Sequence, residues 1–264
     1  MKESVQVIIH GEEDFQGMRE AGELAASILD YITDYVKPGI TTDELNTLCH
    51  NKIIENGAIP APFNYKGFPK SICTSVNHVV CHGIPGEKKL KEEDIVNIDV
   101  TVIFNGWHGD TSRIYFVSKN PPIKAKRLVE VTYEAMMKGI RVIKPGIPLY
   151  EIGRAIQEYA EGFGYSTVKE YCGHGIGKEF HTAPSILHYY DERNDLILQK
   201  GMFFTVEPMV NAGIWQTRLL NDGWTVVTKD NSLSAQFEHT VGVTDKGCEI
   251  FTKSPKGYDC PPYI

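Results

Sequence analysis

The sequence lacks the features that mark several large classes of protein. It contains no run of about 18 apolar residues, so no membrane-spanning helix is expected, and residues 1–10 lack the basic and then apolar pattern of a secretory signal. It has no long run of lysine and arginine, and its net charge of −7 argues against nucleic acid as a partner. None of its 6 cysteines forms a CxxC pair, so we expect reduced thiols in a cytoplasmic protein.

What the sequence does contain is an internal repeat. Residues 36–57 (VKPGITTDELNTLCHNKIIENG) and 143–164 (IKPGIPLYEIGRAIQEYAEGFG) align at an offset of 107. Six pairs are identical: Lys37/Lys144, Pro38/Pro145, Gly39/Gly146, Ile40/Ile147, Glu44/Glu151 and Gly57/Gly164. The offset is too long for a solenoid. We therefore expect one domain over residues 1–252, with halves of about 12–120 and 121–252 and an extended tail at 253–264, and the alternative is chance similarity of turn sequences.

Each half is predicted to begin with the same order of elements. The first is a long amphipathic helix, followed by a Lys-Pro-Gly stop. Its apolar positions keep helical spacing: Phe15, Met18, Gly22, Ala25, Ile28, Leu29 and Ile32. A second helix starts at the capping box of residues 41–44 in one half and at Pro148 in the other. Gly57 and Gly164 end these second helices, and strands follow.

The first half then carries two aspartates in one predicted hairpin, NIDVTVIFNGWHGDT. Asn105-Gly106 is a strong signal for a two-residue type I′ turn. Such a turn pairs residue 104 with 107 and residue 99 with 112. Asp99 and Asp110 would then share a face as diagonal neighbours, with Cα atoms about 7–8 Å apart. An exposed face with idle acids is the alternative for this hairpin alone.

The second half offers acids at matching places. Glu207 follows Asp99 by 108 positions in the apolar run MFFTVEP, and Glu238 lies in the β-like segment FEHTV. His174 stands between glycines in CGHGIG, and glycine allows close approach of the backbone. Buried charges must be paired or bind a metal. Four carboxylates and one imidazole favour manganese, iron(II) or cobalt over a thiolate zinc site, and they could hold two ions about 3.5–4 Å apart.

The motifs around these residues resemble the bacterial type I methionine aminopeptidases of the pita-bread superfamily. The resemblance covers nearly all of residues 10–252 and rests on SICTSVN (71–77), CHGIP (81–85), NIDVTV (97–102), HGDT (108–111), YCGHGIG (171–177), EPM (207–209) and SAQFEHT (234–240). It implies an α+β fold, a pseudo-twofold two-half αβ sandwich with a central antiparallel sheet. It also implies removal of the initiator methionine from nascent proteins when the second residue is small.

The resemblance assigns five metal ligands to this chain. They are Asp99, Asp110, His174, Glu207 and Glu238. Asp110 and Glu238 would bridge two divalent ions (cobalt, manganese or iron(II), with zinc as a further candidate), Asp99 would complete one ion, and His174 with Glu207 the other. Glu207 would also carry the proton from the attacking water to the leaving amine, a role worth about 10²–10⁴-fold in rate.

The resemblance also assigns a substrate pocket. His181 would hydrogen-bond the scissile carbonyl region, and His82 would act near the substrate amide and N-terminal amine. The pocket for the methionine side chain would be formed by Tyr65, Phe68, Cys73, Phe180 and Trp224, beside His82. Pro62 and Phe68 depart from the family pattern, which often has cysteine and tyrosine there.

The implied partners are nascent polypeptide N-termini and, transiently, the ribosome. The chain is expected to be a cytoplasmic monomer that binds neither nucleic acid nor membrane. Three alternatives remain open at this point. One is a proline-directed dipeptidase or aminopeptidase of the same fold, one is a non-catalytic binding member of the superfamily, and one is a structural αβ protein.

Overall fold

A computed structural model describes residues 7–263. The described residues do not include residues 1–6, which belong to the segment considered above for a secretory signal. They also do not include Ile264, the last residue of the predicted tail. The helices are α1 (Glu12–Ile32), α2 (Thr42–Glu55), α3 (Ile123–Arg141) and α4 (Tyr150–Gly162), with 3₁₀ turns at Thr33–Tyr35 and Tyr65–Gly67. None of the helices within residues 7–263 has the length and apolar character to cross a bilayer.

The strands of the first half are β1 (Ile59–Pro60), β2 (Cys73–Val76), β3 (Val79–Cys81), β4 (Ile95–Phe104) and β5 (Trp107–Phe116). Those of the second half are β6 (Ser166–Thr167), β7 (Gly173–Gly175), β8 (Thr182–Ile186), β9 (Phe203–Val206), β10 (Met209–Asn211), β11 (Thr217–Leu219), β12 (Val226–Thr228), β13 (Ser234–Gln236), β14 (His239–Val243) and β15 (Cys248–Ile250). All strand pairs among the described residues are antiparallel.

Two larger sheets, one from each half, form the centre of the molecule. In the first sheet, β1 and β2 pair with different parts of one edge of β4, and β5 pairs with its other edge. The second sheet has the order β15-β14-β9-β7-β8. A β-bridge between Ser112 and Glu238 joins the two halves at their boundary. Two smaller sheets, β13-β10-β6 and β11-β12-β3, complete the layer. The predicted α+β fold with antiparallel sheets is therefore confirmed.

The repeated helix pairs adopt the same local structure in both halves. Gly39 and Gly146 have φ of +92° and +89°, and Gly57 and Gly164 have +73° and +80°. These are left-handed values that favour glycine after a helix. At the start of α2 the capping box is present, because the Glu44 amide donates to Thr41 Oγ1 at 3.1 Å and the Thr41 amide donates to Glu44 at 2.7 Å.

One predicted boundary in the repeat is wrong. The helix α4 begins at Tyr150 rather than at Pro148. Pro148 instead forms an antiparallel bridge with Ile197, and the amide of Leu149 donates to Leu196. The incoming chain is therefore paired with the segment around residue 197 before the helix starts, and this tertiary pairing overrides the helix-starting preference of proline.

The helices of each half cover the outer face of their own sheet. The helices α1 and α2 pack their buried residues against β4, while α3 and α4 pack against β9 and β14. Gly109 lets β5 approach α1, because a Cβ there would lie 2.1 Å from the carbonyl oxygen of Ala21. The opposite face of the β4–β5 hairpin carries Asp99 and Asp110 of the candidate site.

Residues 253–263 pack onto the first half. Asp30 in α1 accepts hydrogen bonds from Arg113 Nη1 at 2.5 Å, from Ser254 Oγ at 2.7 Å and from the Lys256 amide at 3.1 Å. Tyr263 Oη donates to the carbonyl of Ile114 at 2.8 Å. The segment predicted as an extended tail is thus tied to α1 and β5 through a buried carboxylate.

Candidate active site

The first pair of acids lies on a regular hairpin formed by β4 and β5. Phe104 faces Trp107, Asp99 faces Ser112 and Thr101 faces Asp110, as the register predicted from the turn requires. Asn105 and Gly106 have φ of +51° and +82°, as both central residues of a type I′ turn must. The predicted hairpin and its register are therefore confirmed.

The residues of the second half reach the same point from β7 and from positions just outside other strands. His174 in β7 places Nε2 at 3.6 Å from Asp110 Oδ2 and 3.7 Å from Glu207 Oε1. Asp110, His174 and Glu238 each offer a ligand atom, and these three atoms lie within 4.8 Å of one another. The structure thus brings together an aspartate of the first half with a histidine and a glutamate of the second.

Two of the second-half acids are not within strands, contrary to the sequence interpretation. Glu207 follows the last residue of β9, and Glu238 lies between β13 and β14. Pro208 has no amide hydrogen to continue the ladder after Glu207. Glu238 pairs instead across the halves, since its amide donates to the Ser112 carbonyl at 3.1 Å.

The cluster is strongly charged and poorly solvated. Asp110 and Glu238 are only 4% and 3% exposed. Burial, with repulsion from the neighbouring carboxylates, raises the pKa of Asp99 and of Glu238 well above the ordinary range. Burial raises the pKa of Glu207 to about 7, although His174 and a hydrogen bond from Thr205 oppose the shift. These carboxyl groups therefore disfavour their ionised forms unless a cation is nearby.

The residues fit a divalent cation by the chemistry of their donor atoms. Carboxylate oxygens with a single imidazole are ligands that manganese, iron and cobalt accept. Burial lowers the pKa of His174, but the hydrogen bond to Asp110 and the charges of Glu207 and Asp110 outweigh it, so the net pKa is raised. The imidazole of His174 therefore lies beside negative charges that would also attract a metal cation.

One cavity of about 370 Å³ contains the whole predicted site. Its lining includes every predicted ligand, Asp99, Asp110, His174, Glu207 and Glu238, both predicted histidines, His82 and His181, and every predicted pocket residue, Tyr65, Phe68, Cys73, Phe180 and Trp224. The structure therefore places all of the predicted site residues together. Their roles stay predictions.

The two histidines outside the cluster are held neutral near pH 7. Burial lowers the pKa of His82, with the charge of Asp110 acting against the shift. Burial and then the positive charge of His174 lower the pKa of His181 to about 4. The His181 ring stacks on Tyr65, with centroids 5.2 Å apart and planes at 22°. Each imidazole can therefore donate one hydrogen bond without bringing a positive charge.

Aromatic rings form the walls of the cavity away from the acids. Phe68 meets Trp224 edge-on with centroids 5.2 Å apart, and Tyr65 lies 4.9 Å from Phe180. Cys73 forms part of the lining, and its backbone is paired with that of Asp99. The departure at Pro62 lies at this lining too, as a buried residue.

Sequence reasoning missed several residues of the cavity and its support. The lining also includes Lys66, Cys81, Thr101, Glu170, Tyr171, Cys172 and Met209. Cys81, Thr101, Tyr171, Cys172 and Met209 belong to the motifs quoted above, so their position next to predicted residues was a usable signal. Lys66 and Glu170 had no such signal.

Three further side chains hold Glu207 and were not assigned a role from the sequence. Thr205 Oγ1 donates to Glu207 Oε1 at 2.7 Å, and Gln236 Nε2 donates to Oε2 at 3.3 Å. The Glu207 amide donates to His188 Nε2 at 3.1 Å. His188 is fully buried, and burial lowers its pKa to about 3, which keeps Nε2 free to accept.

The chain is similar to metallopeptidases in sequence. The model of metallopeptidase family M24 matches residues 16–245. The methionine aminopeptidase of Rickettsia prowazekii is 65% identical over 256 residues, which cover 97% of this chain and 98% of that protein. The methionine aminopeptidase of Escherichia coli strain K12 is 54% identical over 248 residues, covering 93% and 94%.

Solved structures show the same similarity. The crystal structure of methionine aminopeptidase from Rickettsia prowazekii has a TM-score of 0.92 at 64% identity and covers 94% of this chain and 100% of that chain. Prolidase from Pyrococcus furiosus has a TM-score of 0.75 at 23% identity and covers 94% of this chain but 65% of its own. The second similarity shows the shared fold alone.

Proposed function

The chain belongs to metallopeptidase family M24, as a hydrolase alongside the methionine aminopeptidases, and from this premise we propose that it removes the N-terminal methionine of proteins whose second residue is small. The observation that carries the proposal is the cluster of Asp110, His174 and Glu238 in a cavity with aromatic walls. The acids supply the chemistry, and the aromatic walls supply a site for an apolar side chain.

Two divalent ions would be held by the five predicted ligands, with Asp110 and Glu238 shared between them. When bound, such ions lower the pKa of water and polarise a carbonyl group. The support is the close grouping of buried carboxyl groups around His174, because a cation would stabilise their ionised forms. Manganese, iron(II), cobalt and zinc are all candidates.

Glu207 is the group suited to carry a proton. Its carboxylate lines the cavity with Oε1 at 3.7 Å from His174 Nε2, where a positioned carboxyl group can act as general base and then as general acid. It would accept a proton from the attacking water and donate it to the leaving amine. Its carboxylate is held in place by Thr205 and Gln236, so the oxygen that exchanges the proton has a defined position.

The neutral histidines would recognise the peptide bond. His181 would donate a hydrogen bond to the oxygen of the scissile carbonyl as negative charge develops there. His82, which lies 5.8 Å from Tyr171 and 6.3 Å from Trp224 by ring centroid, would contact the substrate amide and N-terminal amine. A neutral ring avoids repulsion with the ammonium group of the substrate.

The aromatic part of the cavity would hold the methionine side chain. Thioether sulfur interacts favourably with aromatic rings, and Cys73 adds a buried thiol to the wall. Because Phe68 carries no hydroxyl, selection rests mainly on shape. Discrimination against norleucine should then be weak, since shape contributes only about 1–3 kcal/mol per methylene.

The experiment uses the tripeptides Met-Ala-Ser and Met-Lys-Ser with metal-stripped protein, before and after addition of manganese or cobalt. Cleavage of Met-Ala-Ser alone, and only with metal, is the expected result. Equal cleavage of both peptides, or none with metal, contradicts the proposal. Release of the first residue from Xaa-Pro peptides, with no preference for methionine, would favour the proline-directed alternative.

The setting of this activity is also a proposal. Nascent chains would be the substrates, met by a cytoplasmic monomer that visits the ribosome transiently. The unpaired state of all six cysteines supports a reducing compartment. Sedimentation of the protein alone and with ribosomes tests both points, and a stable dimer or the absence of any cosedimentation would contradict the respective statement.

A further inference from the structure

A single hydroxyl lies between two of the predicted ligands. Thr205 in β9 is fully buried, and its Oγ1 accepts a hydrogen bond from the backbone amide of His174 at 3.0 Å. The same oxygen donates to Glu207 Oε1 at 2.7 Å. Thr205 therefore connects the strand that carries the imidazole with the carboxylate beside it.

The direction of these two hydrogen bonds is determined by their chemistry. A backbone N–H can only donate, so Thr205 Oγ1 must be the acceptor toward His174. A hydroxyl has one proton, and that proton is then free to bond Glu207 Oε1. The contact with the carboxylate is charge-assisted and short, which makes it one of the stronger hydrogen bonds of the site.

The close approach of the two strands depends on Gly173 in β7. A Cβ at Gly173 would lie 2.4 Å from the carbonyl oxygen of Thr205 and 3.1 Å from its Oγ1. Any larger residue would push the two strands apart at this point. Gly173 therefore allows the His174 amide to come within hydrogen-bond distance of the Thr205 hydroxyl.

We propose that Thr205 is a positioning residue that sets the imidazole of His174 relative to the carboxylate of Glu207. The two groups, whose Nε2 and Oε1 atoms lie 3.7 Å apart, are the pair assigned to one ion, so this inference rests on the proposed function. Thr205 holds both before the ion binds. The first half has a weaker counterpart, because Thr101 Oγ1 donates to Asp110 Oδ1 at 2.7 Å but contacts one ligand only.

The test compares Thr205→Val, which keeps the shape and removes the hydroxyl, with Thr205→Ser, which keeps the hydroxyl. The control is Thr167→Val, since Thr167 in β6 is 1% exposed and its hydroxyl has no hydrogen-bond partner. Metal-free protein is titrated with manganese chloride in a calorimeter. Kinetic constants are measured with Met-Ala-Ser at saturating manganese.

Thr205→Val should bind one of the two manganese ions about 10–100-fold more weakly, the usual effect of losing a group that orients a metal ligand. Its kcat should fall while the KM for the peptide stays the same. Thr205→Ser should restore both values, and Thr167→Val should behave like the parent. Equal metal binding by parent and Thr205→Val, or failure of the serine variant to restore it, would overturn the inference.

Thermal unfolding of the metal-free variants identifies any that are misfolded. If Thr205→Val does not fold, Thr205→Ala is measured in its place, with the same expected loss and the same contradicting result. If the parent binds two ions but does not hydrolyse the peptide, the proposed function is contradicted. The role of Thr205 is then decided by the manganese affinities of the variants, which the calorimeter measures. The two failures are therefore distinguishable.

Discussion

The two halves of the molecule present the same kind of acidic group by different means. In the first half, Asp99 and Asp110 sit on a hairpin with ten consecutive paired positions. In the second half, Glu207 and Glu238 lie just outside their strands, and the register between β7 and β8 shifts after His174. A regular ladder orients side chains by itself, whereas strand ends need other contacts to do so.

The second half obtains those contacts partly from the first. Thr111 Oγ1 donates to the Glu238 carbonyl at 2.8 Å, and Asn97 Nδ2 donates to the Gln236 carbonyl at 2.8 Å. The β4–β5 hairpin is thus a template against which the segment around Glu238 is held. The two halves are therefore expected to differ in how they tolerate substitutions, although their helix ends have the same backbone conformation.

The largest expected effect comes from the shared carboxylates. Asp110→Asn and Glu238→Gln each remove one negative charge from the buried cluster and should lower kcat/KM for Met-Ala-Ser by at least about 100-fold, more than the loss of a mere supporting group. Peptide hydrolysis assays measure this effect. The control is Asp245→Asn at an exposed ion pair with Lys200, which should have no effect. Hydrolysis by Asp110→Ala at the original rate would refute the shared-ligand role.

Metal removal should lower the melting temperature, and more so at high pH. The pKa values of Asp99 and Glu238 are raised by burial in the folded protein, as is that of Glu207, to about 7. A raised folded-state pKa means that these carboxyl groups cost the metal-free protein nothing below the unfolded pKa of about 4 and lower its stability as pH rises toward the folded value. Bound cations remove this cost.

Calorimetric melting with and without manganese at pH 5.5 and pH 8 measures the effect. The stabilisation by manganese should be larger at pH 8, since protons compete with the metal at pH 5.5. Buried histidines such as His188 and His239, whose pKa values burial lowers to about 3, titrate alike in both forms and cancel in the difference. A stabilisation that is equal at both pH values, or smaller at pH 8, would contradict the interpretation.

A smaller effect is expected at His188, which belongs only to the second half. His188→Asn removes the acceptor for the Glu207 amide, and leaving such a group unpaired costs about 1–3 kcal/mol. His188→Gln can place an oxygen near the Nε2 position and should retain most of the stability and activity. Denaturant unfolding and peptide assays compare the two variants. Equal losses for asparagine and glutamine would show that ring shape, rather than the hydrogen bond, matters.

The smallest effect should be the same in both halves. Gly57→Ala and Gly164→Ala each place a Cβ in open space, with nothing within 4 Å, but at φ of +73° and +80°. Each should cost about 1–2 kcal/mol of unfolding free energy from backbone strain alone. Denaturant unfolding measures both values. Clearly unequal losses would show that the two helix ends, although alike in backbone conformation, do not depend equally on glycine.

Sequence reasoning succeeded where the signal is local. Asn105-Gly106 and the alternation around it determined the hairpin register, and Thr41 with Glu44 determined the start of α2, because both depend on residues within a few positions of each other. The resemblance to a known family supplied the assignment of ligands, and the cavity contains every residue that it named.

The remaining features depend on contacts between distant segments. Thr205 reaches His174 across 31 positions and His188 reaches Glu207 across 19, with no periodic pattern to indicate either contact. The start of α4 was displaced for the same reason, because Pro148 pairs with Ile197. Such contacts depend on how strands pair in three dimensions, and local propensity carries no information about that.

The carboxylate of Asp30 connects parts of the chain that are made at very different times. Its contact with Ser254 joins residues 224 positions apart, so it can form only after the intervening segment has been made. Until then, Arg113 is the one side chain from β5 that is present to neutralise it. The first half therefore gains this contact only after all the residues of the second half have been added to the chain.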